Sequence, residues 1–184
     1  KFDLATRLRG VRIKLERLGM SVEEQHTKSL VRETIYAAAM FLDDQKWNDW
    51  IDQCDESFHY SVVTYSHEVR RDLTYLLMSH KEMHPYFDLL PKHNSDHSPL
   101  RRHATVYTVD VSKDGKTAEA VTSFIMTQEM IDGISAPLYA GENRLYLTGK
   151  YYDKFKVDGE SVKFTERVAR VYTRRFDKGT HWVF

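Results

Sequence analysis

Four long stretches with the composition of β-strands fill the second half of this chain and restrict it to folds built on a sheet. They span residues 101–111, 117–131, 142–157 and 161–176. Asp-Gly pairs, a favoured hairpin turn, stand at 114–115, 132–133 and 158–159. In the third stretch apolar residues from Leu145 to Val157 alternate with polar ones, which predicts one buried face and one solvent face. Strands of this length twist, so we expect a strongly curved antiparallel sheet.

Helical patterns precede these strands. Ser21 followed by Glu24 fits a capping box, and apolar residues of residues 30–42 share one broad helical face. A second helical stretch, "DQKWNDWIDQC", places two tryptophans, Ile51 and Cys54 together, which we interpret as core packing. The segment "SFHYSVVTYS" then predicts a strand, and residues 67–99 are expected to be irregular, with short helical turns at 73–78 and 86–90. Helices followed by an antiparallel meander predict an α+β fold closed over the first helices.

The composition is that of one folded domain without a strong electrostatic field. The 184 residues carry 27 basic and 27 acidic side chains, which argues against nucleic-acid binding. The single cysteine fits a reducing compartment, and no apolar run is long enough to span a bilayer. We therefore expect a cytoplasmic protein with no membrane partner.

The first 19 residues form a segment of different character, called here the basic arm. It holds six basic residues against two acidic ones, and five of its six large aliphatic residues recur at helical spacing. Such an arm could dock on a membrane or on a partner protein, or pack on its own domain, and the pattern leaves these alternatives open. Residues 20–184 are expected to form a single domain.

Several chemistries are excluded by the sequence. The eight glycines never form a G-x-G motif, so neither a dinucleotide fingerprint nor a phosphate loop is present. One cysteine cannot hold an iron–sulfur cluster or a zinc site built on cysteine pairs.

The segment "PKHNSDHSPLRRH" (residues 91–103) concentrates groups that could bind a metal. His93 and His97 with Asp96 between them would suit a two-histidine, one-carboxylate iron site on a helix. The neighbouring turn-forming residues and Pro99 instead favour a loop. Three interpretations stay open: a metal site, an acid–base site, and a polar structural or interface loop.

A pocket inside the curved sheet is a second candidate for chemistry. Its candidate catalytic residues are Tyr36, Asp55, Tyr60 and His103. A tyrosine–histidine or histidine–aspartate pair could do general acid–base work, as in a free-standing dehydratase or isomerase. Their spacing does not show that they converge.

The run "FLDDQKWNDWIDQCDESFHYSVVTYSHEVRRDLTYL" carries a family resemblance. Its "LDD-x-x-W-x-x-W" helix, its "D-x-x-F-x-Y" strand entry, the later "SPLRRHATVYTVDV" and the final "HWVF" resemble the small (beta) subunits of Rieske-type ring-hydroxylating oxygenases. The match covers about residues 25–184. It implies a curved-sheet cone of the nuclear-transport-factor-2 (NTF2-like) or SnoaL type.

The resemblance also implies a role. The chain would be a non-catalytic subunit without a redox centre, paired with a large (alpha) subunit in a three-plus-three complex. That large subunit would hold a Rieske [2Fe-2S] cluster and a mononuclear Fe(II), with electrons arriving from NADH through a reductase and a ferredoxin. The reaction could be a mono- or a dioxygenation. A free-standing cone enzyme and a simple ligand-binding module are the alternatives.

On this interpretation the 91–103 loop and the C-terminus face other subunits. The predicted interface residues are His93, Asn94, Asp96, His97, Arg101, Arg102, His103, Trp182 and Phe184.

Overall fold

The computed structural model describes residues 21–93, 98–131, 141–173 and 183, with Pro91 and His93 described as backbone only. The basic arm lies outside the described residues. Three helices are present: α1 (Val22–Asp43), α2 (Trp47–Asp52) and α3 (His80–His93). Six strands are present: β1 (Cys54–Ser66), β2 (Arg71–Ser79), β3 (Leu100–Val111), β4 (Thr117–Glu129), β5 (Asn143–Asp158) and β6 (Ser161–Val171). The predicted α+β class is confirmed.

The six strands form one curved open sheet in the order β2-β1-β6-β5-β4-β3. Each of the five strand pairings contains a register shift, and such bulges bend a strand and increase its twist. Four pairings are antiparallel, but β1 and β6 run parallel. The prediction of a wholly antiparallel sheet was therefore wrong at this one pairing. The chain leaves the β1–β2 hairpin through α3, builds the meander from the far edge, and returns to β1 from the other side.

Strand β5 shows the predicted alternation most clearly. From Leu147 to Val157 every second residue is buried, and the residues between them are more exposed. Gly149 lies on the inward face at a position where no larger residue fits. A Cβ there would be 2.4 Å from the backbone oxygen of Arg170 and 2.8 Å from Cζ of Phe124. Close packing of this kind lets β4, β5 and β6 curve around a shared interior.

Helix α1 closes the concave side of the sheet next to β3. Ser21 is its N-cap and accepts a hydrogen bond from the backbone N–H of Glu24 at 2.9 Å, as the sequence predicts. Its buried residues are Thr27, Val31, Ile35, Ala38 and Leu42. Their spacing of three and four residues gives the apolar face that covers the sheet interior.

The aromatic residues of α2 pack in the core, as predicted. Trp50 is fully buried and makes edge-to-face contacts with Phe58, Tyr60 and Phe87 at centroid distances of 5.8–6.1 Å. Trp47 stacks on Phe87 at 4.9 Å. These contacts join α2 to β1 and α3 in one cluster.

Residues 67–99 are more regular than the sequence predicts. The helical turn expected at 73–78 was wrong because these residues form β2, an edge strand with a single buried residue, Met78. The turn expected at 86–90 lies within the longer helix α3. None of the helices in the described part of the chain combines the length and the apolar character needed to cross a bilayer.

Candidate functional site

A buried ion pair lies inside the sheet, where two neighbouring strands face the interior. Arg167 on β6 donates from Nε and Nη2 to the two carboxylate oxygens of Asp153 on β5, at 2.8 and 2.9 Å. The side chains are 1% and 0% exposed. Burial raises the pKa of the Asp153 carboxyl, and the Arg167 guanidinium opposes that rise. The two parallel hydrogen bonds are the geometry that best compensates for burying both charges.

Aromatic rings enclose this pair. The Arg167 guanidinium carbon lies 4.4 Å from the ring centroid of Tyr151 and 4.5 Å from that of Phe164. The other partner of Tyr151 is Phe124, stacked at 4.0 Å with the planes 13° apart. The interior of the sheet is thus occupied by a continuous series of rings and a guanidinium.

A second ion pair lies nearby, between β3 and the end of α1. Arg102, whose side chain is 2% exposed, donates to the carboxylate of Asp43 and to the backbone oxygen of Val183. Its backbone N–H also donates to Asp43, at 2.9 Å. Burial raises the pKa of the nearby Tyr151 hydroxyl, and the charge of Arg102 lowers it. Arg102 therefore connects three distant parts of the chain.

Some polar atoms of this interior have no hydrogen-bond partner among the described residues. They include the Tyr151 hydroxyl, the Thr122 hydroxyl and Nε of Arg102. Thr122 and Tyr151 are directly opposite one another in the β4–β5 register and both are buried. These groups form the polar end of an otherwise aromatic interior.

The four candidate catalytic residues do not come together. Tyr60 is fully buried in the core, whereas Tyr36 on α1 is 43% exposed. His103 is exposed on β3, opposite the exposed Ile125. Asp55 lies at the start of β1, five residues before Tyr60 on the same strand.

The environment of Asp55 also does not suit a general base at neutral pH. Its carboxylate accepts hydrogen bonds from the hydroxyl and the backbone N–H of Ser57, at 2.7 and 3.0 Å, and from Lys156 at 3.4 Å. The Ser57 bonds and Lys156 together lower the pKa of Asp55 to about 2. Cys54 beside it is buried, and burial raises the pKa of its thiol to about 12, so it is not a nucleophile either.

The predicted interface residues fall in three groups. Arg101 and His103 are exposed on β3, whereas the Arg102 side chain turns inward to its ion pair. His93 ends α3. The remaining predicted residues, Asn94, Asp96, His97, Trp182 and Phe184, lie outside the described residues.

Metal-binding groups are dispersed over the described part of the chain. Residues 21–93, 98–131, 141–173 and 183 contain no cluster of three or more histidine, cysteine, aspartate or glutamate side chains that could hold a metal ion. Asp96, His97 and the His93 side chain lie outside the described residues.

Sequence reasoning missed Asp153 and Arg167. The available signal was the period of β5: Asp153 occupies an inward position between Tyr151 and Phe155, where an apolar residue is expected. A charge at such a position implies a buried partner of opposite sign.

Comparison with known proteins identifies relatives of this chain. No protein-family model matches the chain. The beta subunit of the methanesulfonate monooxygenase hydroxylase from Methylosulfonomonas methylovora is 48% identical over 152 residues, covering 83% of this chain and 84% of the relative. The beta subunit of 2-aminobenzenesulfonate 2,3-dioxygenase from an Alcaligenes species is 26% identical over 82% of this chain and 95% of the relative.

Solved structures agree on the fold. The beta subunit assigned to an aromatic-ring-hydroxylating dioxygenase of Novosphingobium aromaticivorans aligns with a TM-score of 0.64 and 21% identity, covering 82% of this chain and 92% of that one. The benzoate 1,2-dioxygenase beta subunit of Burkholderia mallei aligns with a TM-score of 0.58 and 10% identity, covering 83% and 95%. A hexachlorocyclohexane dehydrochlorinase of Novosphingobium barchaimii, with a TM-score of 0.56 and 8% identity, covering 88% and 97%, shares the same NTF2-like cone.

Fold and sequence therefore agree, and the resemblance seen in the tryptophan helix and the "SPLRRH" strand is confirmed. The chain belongs to the family of oxygenase hydroxylase beta subunits that includes the one from methanesulfonate monooxygenase.

Proposed function

We propose that this chain is the non-catalytic small subunit of a multicomponent oxygenase and that it binds a large subunit holding the redox centres. The observation that carries this proposal is the 48% identity, over most of both chains, to a hydroxylase beta subunit. The proposed large subunit supplies a Rieske [2Fe-2S] cluster and a mononuclear Fe(II), and three large subunits assemble with three small ones. Electrons reach the complex from NADH through a reductase and a ferredoxin.

The packed interior supports an assembly role for this chain. In a cone-shaped enzyme the sheet interior has to admit a substrate. Here Tyr60, Tyr151 and Arg167 occupy it and are at most 2% exposed. Since Tyr36 and His103 point away from that interior, the residues expected for a dehydratase or isomerase are not assembled. This arrangement favours the subunit over the free-standing enzyme.

The outer face of the sheet supports a partner. Tyr107, Ile125 and Tyr152 stand on β3, β4 and β5 and are 57%, 46% and 40% exposed. Lys150 lies 5.4 Å from the ring of Tyr107. Exposed aromatic side chains are enriched at protein–protein interfaces.

We further propose that the substrate of the complex is an organosulfonate. Both curated relatives bear names that specify a sulfonate, one aliphatic and one aromatic. The greater identity to the first favours a small aliphatic sulfonate and a monooxygenation. In this proposal the large subunit forms the substrate pocket, and the small subunit keeps that subunit folded and assembled.

The experiment that tests the role is recovery of the complex from its own cells through an affinity tag on this chain. Native mass spectrometry should show a larger iron–sulfur protein in equal number. Recovery of this chain alone, or only with copies of itself, would refute the subunit role. With the complex in hand, oxygen consumption should depend on NADH and methanesulfonate. Turnover of 2-aminobenzenesulfonate or benzoate in its place would overturn the assignment of an aliphatic sulfonate.

A further inference from the structure

A groove lies at the end of the molecule where the described chain begins. Its volume is about 780 Å³, and its walls are the first turn of α1, the β3–β4 turn and the β5–β6 turn. Ser21, the N-cap of α1, is one of its lining residues. Because the basic arm joins the helix at this residue, the arm enters the described structure at the edge of the groove.

The groove carries an excess of negative charge. Its lining includes five carboxylates against three lysines and His26. Some are already paired: Glu160 contacts His26 at 3.0 Å, and Glu24 contacts Lys28 at 2.7 Å. Glu23 and Asp158 have no ion-pair partner among the described residues. Among the other lining residues Asp114 also lacks an ion-pair partner in the described part of the chain, as do Lys113 and Lys116, so the unpaired charges of the groove are three negative against two positive.

The same groove offers apolar surface between its charges. Val111 lines it from the end of β3 and is half-buried, whereas Val157, at the end of β5, lines it with only 8% of its surface exposed. Val22, the first residue of α1, is 58% exposed. Alternation of aliphatic and acidic groups suits an occupant that is both apolar and basic.

The basic arm has that composition. Its charges are Lys1, Arg7, Arg9, Arg12, Lys14 and Arg17 against Asp3 and Glu16, and its aliphatic stripe is Leu4, Leu8, Val11, Leu15 and Leu18. Leu18 and Arg17 are three and four residues from the groove wall at Ser21. A segment tethered this closely is present at an effective concentration of the order of mM, so even weak contacts hold it in place.

We propose that the groove between the start of α1 and the β3–β4 and β5–β6 turns is the binding site of the chain's own basic arm. In this proposal Arg17 and its basic neighbours would pair with the carboxylates of Glu23 and Asp158, and Leu18 would cover Val111 and the exposed Val22. The arm would then pack on its own domain, and it would not be a free extension for a membrane or a second protein. This proposal does not depend on the oxygenase assignment.

Disulfide trapping tests the position of the arm. Cys54 is buried, so an introduced pair of cysteines is the reactive one. Leu18→Cys with Lys113→Cys, on the β3–β4 turn, should form a disulfide within one chain, independent of protein concentration. Leu18→Cys with Tyr107→Cys on the outer sheet face is the matched control and should stay reduced. The proposal would be overturned if the first pair failed to oxidise or if disulfides formed only between chains. Ready oxidation of Leu8→Cys with Met40→Cys, on the far end of α1, would also overturn it.

Hydrogen exchange on the full chain tests the contacts. Removal of residues 1–18 should raise amide exchange in the turns at 112–116 and 158–161 by about tenfold. Glu23→Lys with Asp158→Lys should do the same in the full chain and add nothing to the truncated one. Glu33→Lys, at an exposed position further along α1, is the control and should change neither turn. Equal exchange with and without the arm would show that the groove is not its site.

Discussion

Arg167 brings a full charge into the sheet interior, where Asp153 and the rings of Tyr151 and Phe164 hold its guanidinium. Removing two charges from water is expensive, and a pair this buried adds little net stability compared with an apolar pair of similar volume. We expect its larger effect to be on the choice of one native packing, because an alternative packing that separates the pair would leave a charge buried without a partner. Asp153 and Arg167 are directly opposite one another in the β5–β6 register, so a slip of one residue would separate them.

Arg167→Met should lower the free energy of unfolding by about 3–5 kcal/mol, because it leaves the Asp153 carboxylate buried without a partner. The double variant Arg167→Met with Asp153→Leu should recover most of that loss. Arg170→Met is the control: Arg170 makes the same two-bond contact with Asp72, but on the surface, and its loss should cost about 0–1 kcal/mol. Urea unfolding followed by circular dichroism measures all three. A double variant as unstable as the single one would contradict this account.

We expect the Asp55 carboxyl to make part of the free energy of unfolding depend on pH in the acid range. Hydrogen bonds from Ser57, with Lys156 contributing, lower its pKa from 3.8 to about 2. A folded-state pKa below the unfolded one means that the carboxylate stabilises the fold above pH 4, and that this contribution is lost as the pH falls toward 2.

Asp55→Asn should therefore be less stable than the parent at pH 6, and the two unfolding free energies should converge as the pH falls to 2. Lys156→Met removes the smaller cause and should reduce the difference only in part. Unfolding free energies measured at intervals between pH 2 and 6 test this. Parallel curves for the parent and Asp55→Asn would show that this carboxyl does not contribute.

The inward alternation of β5 could be predicted from sequence, but the partner of Asp153 could not. Period two identifies the face on which a residue lies, and pairing β5 with β6 requires knowledge of the register. The inward position of Arg102 was hidden in the same way. It follows Arg101, and nothing local distinguishes the arginine that pairs with the Asp43 carboxylate from Arg101, which reaches only the Asp43 backbone oxygen, at 3.4 Å.

Arg102 acts at the scale of whole elements, because its guanidinium joins the end of α1, the start of β3 and the backbone at Val183. Val183 is fully buried in the core, between two residues predicted at the interface. The position of the C-terminal residues thus depends on an internal ion pair of this chain.

Arg102→Met should cost about 3 kcal/mol of unfolding free energy, because Asp43 is only 15% exposed and loses its partner. Arg102→Lys should recover little, since an ammonium cannot bond both the carboxylate and the Val183 oxygen in the same planar geometry. Arg101→Met is the control, because Arg101 is exposed and contacts Asp43 only through a 3.4 Å bond to its backbone oxygen. Thermal unfolding of the isolated chain measures the difference. If Arg102 acted only on a partner, stability of the isolated chain would not change.

The elements that sequence predicted well are those with one buried face. β3, β4, β5 and β6 begin within about one residue of their predicted starts, and α1 begins directly after its predicted N-cap, Ser21. β2 was missed because an edge strand with a single buried residue shows no alternation. α3 is longer than the helical turn predicted at 86–90. Pro85 and Pro91 are poor helix formers, but Met83, Phe87 and Leu90 bury apolar surface that stabilises the helix.

At the scale of the whole molecule, the 91–103 segment is fixed on both sides. α3 ends within it at His93, and further along it Ser98 is buried and accepts a hydrogen bond from the backbone N–H of Ile131 at 3.2 Å. Leu100 is also buried. A polar segment held by two ordered ends can present its side chains to a partner at a small entropic cost.

His97→Ala or Asp96→Ala should therefore weaken assembly with the large subunit. Interface side chains of this kind contribute on the order of 1–2 kcal/mol each, so the dissociation constant should rise about tenfold. The visible spectrum of the iron–sulfur cluster proposed for the large subunit should stay unchanged. Glu33→Ala on the exposed side of α1 is the control and should assemble normally. Mass photometry over a dilution series gives the affinity, and oxygen consumption gives turnover. Normal assembly with abolished turnover would show that these residues serve the reaction itself, and the assembly role assigned to this segment would be wrong.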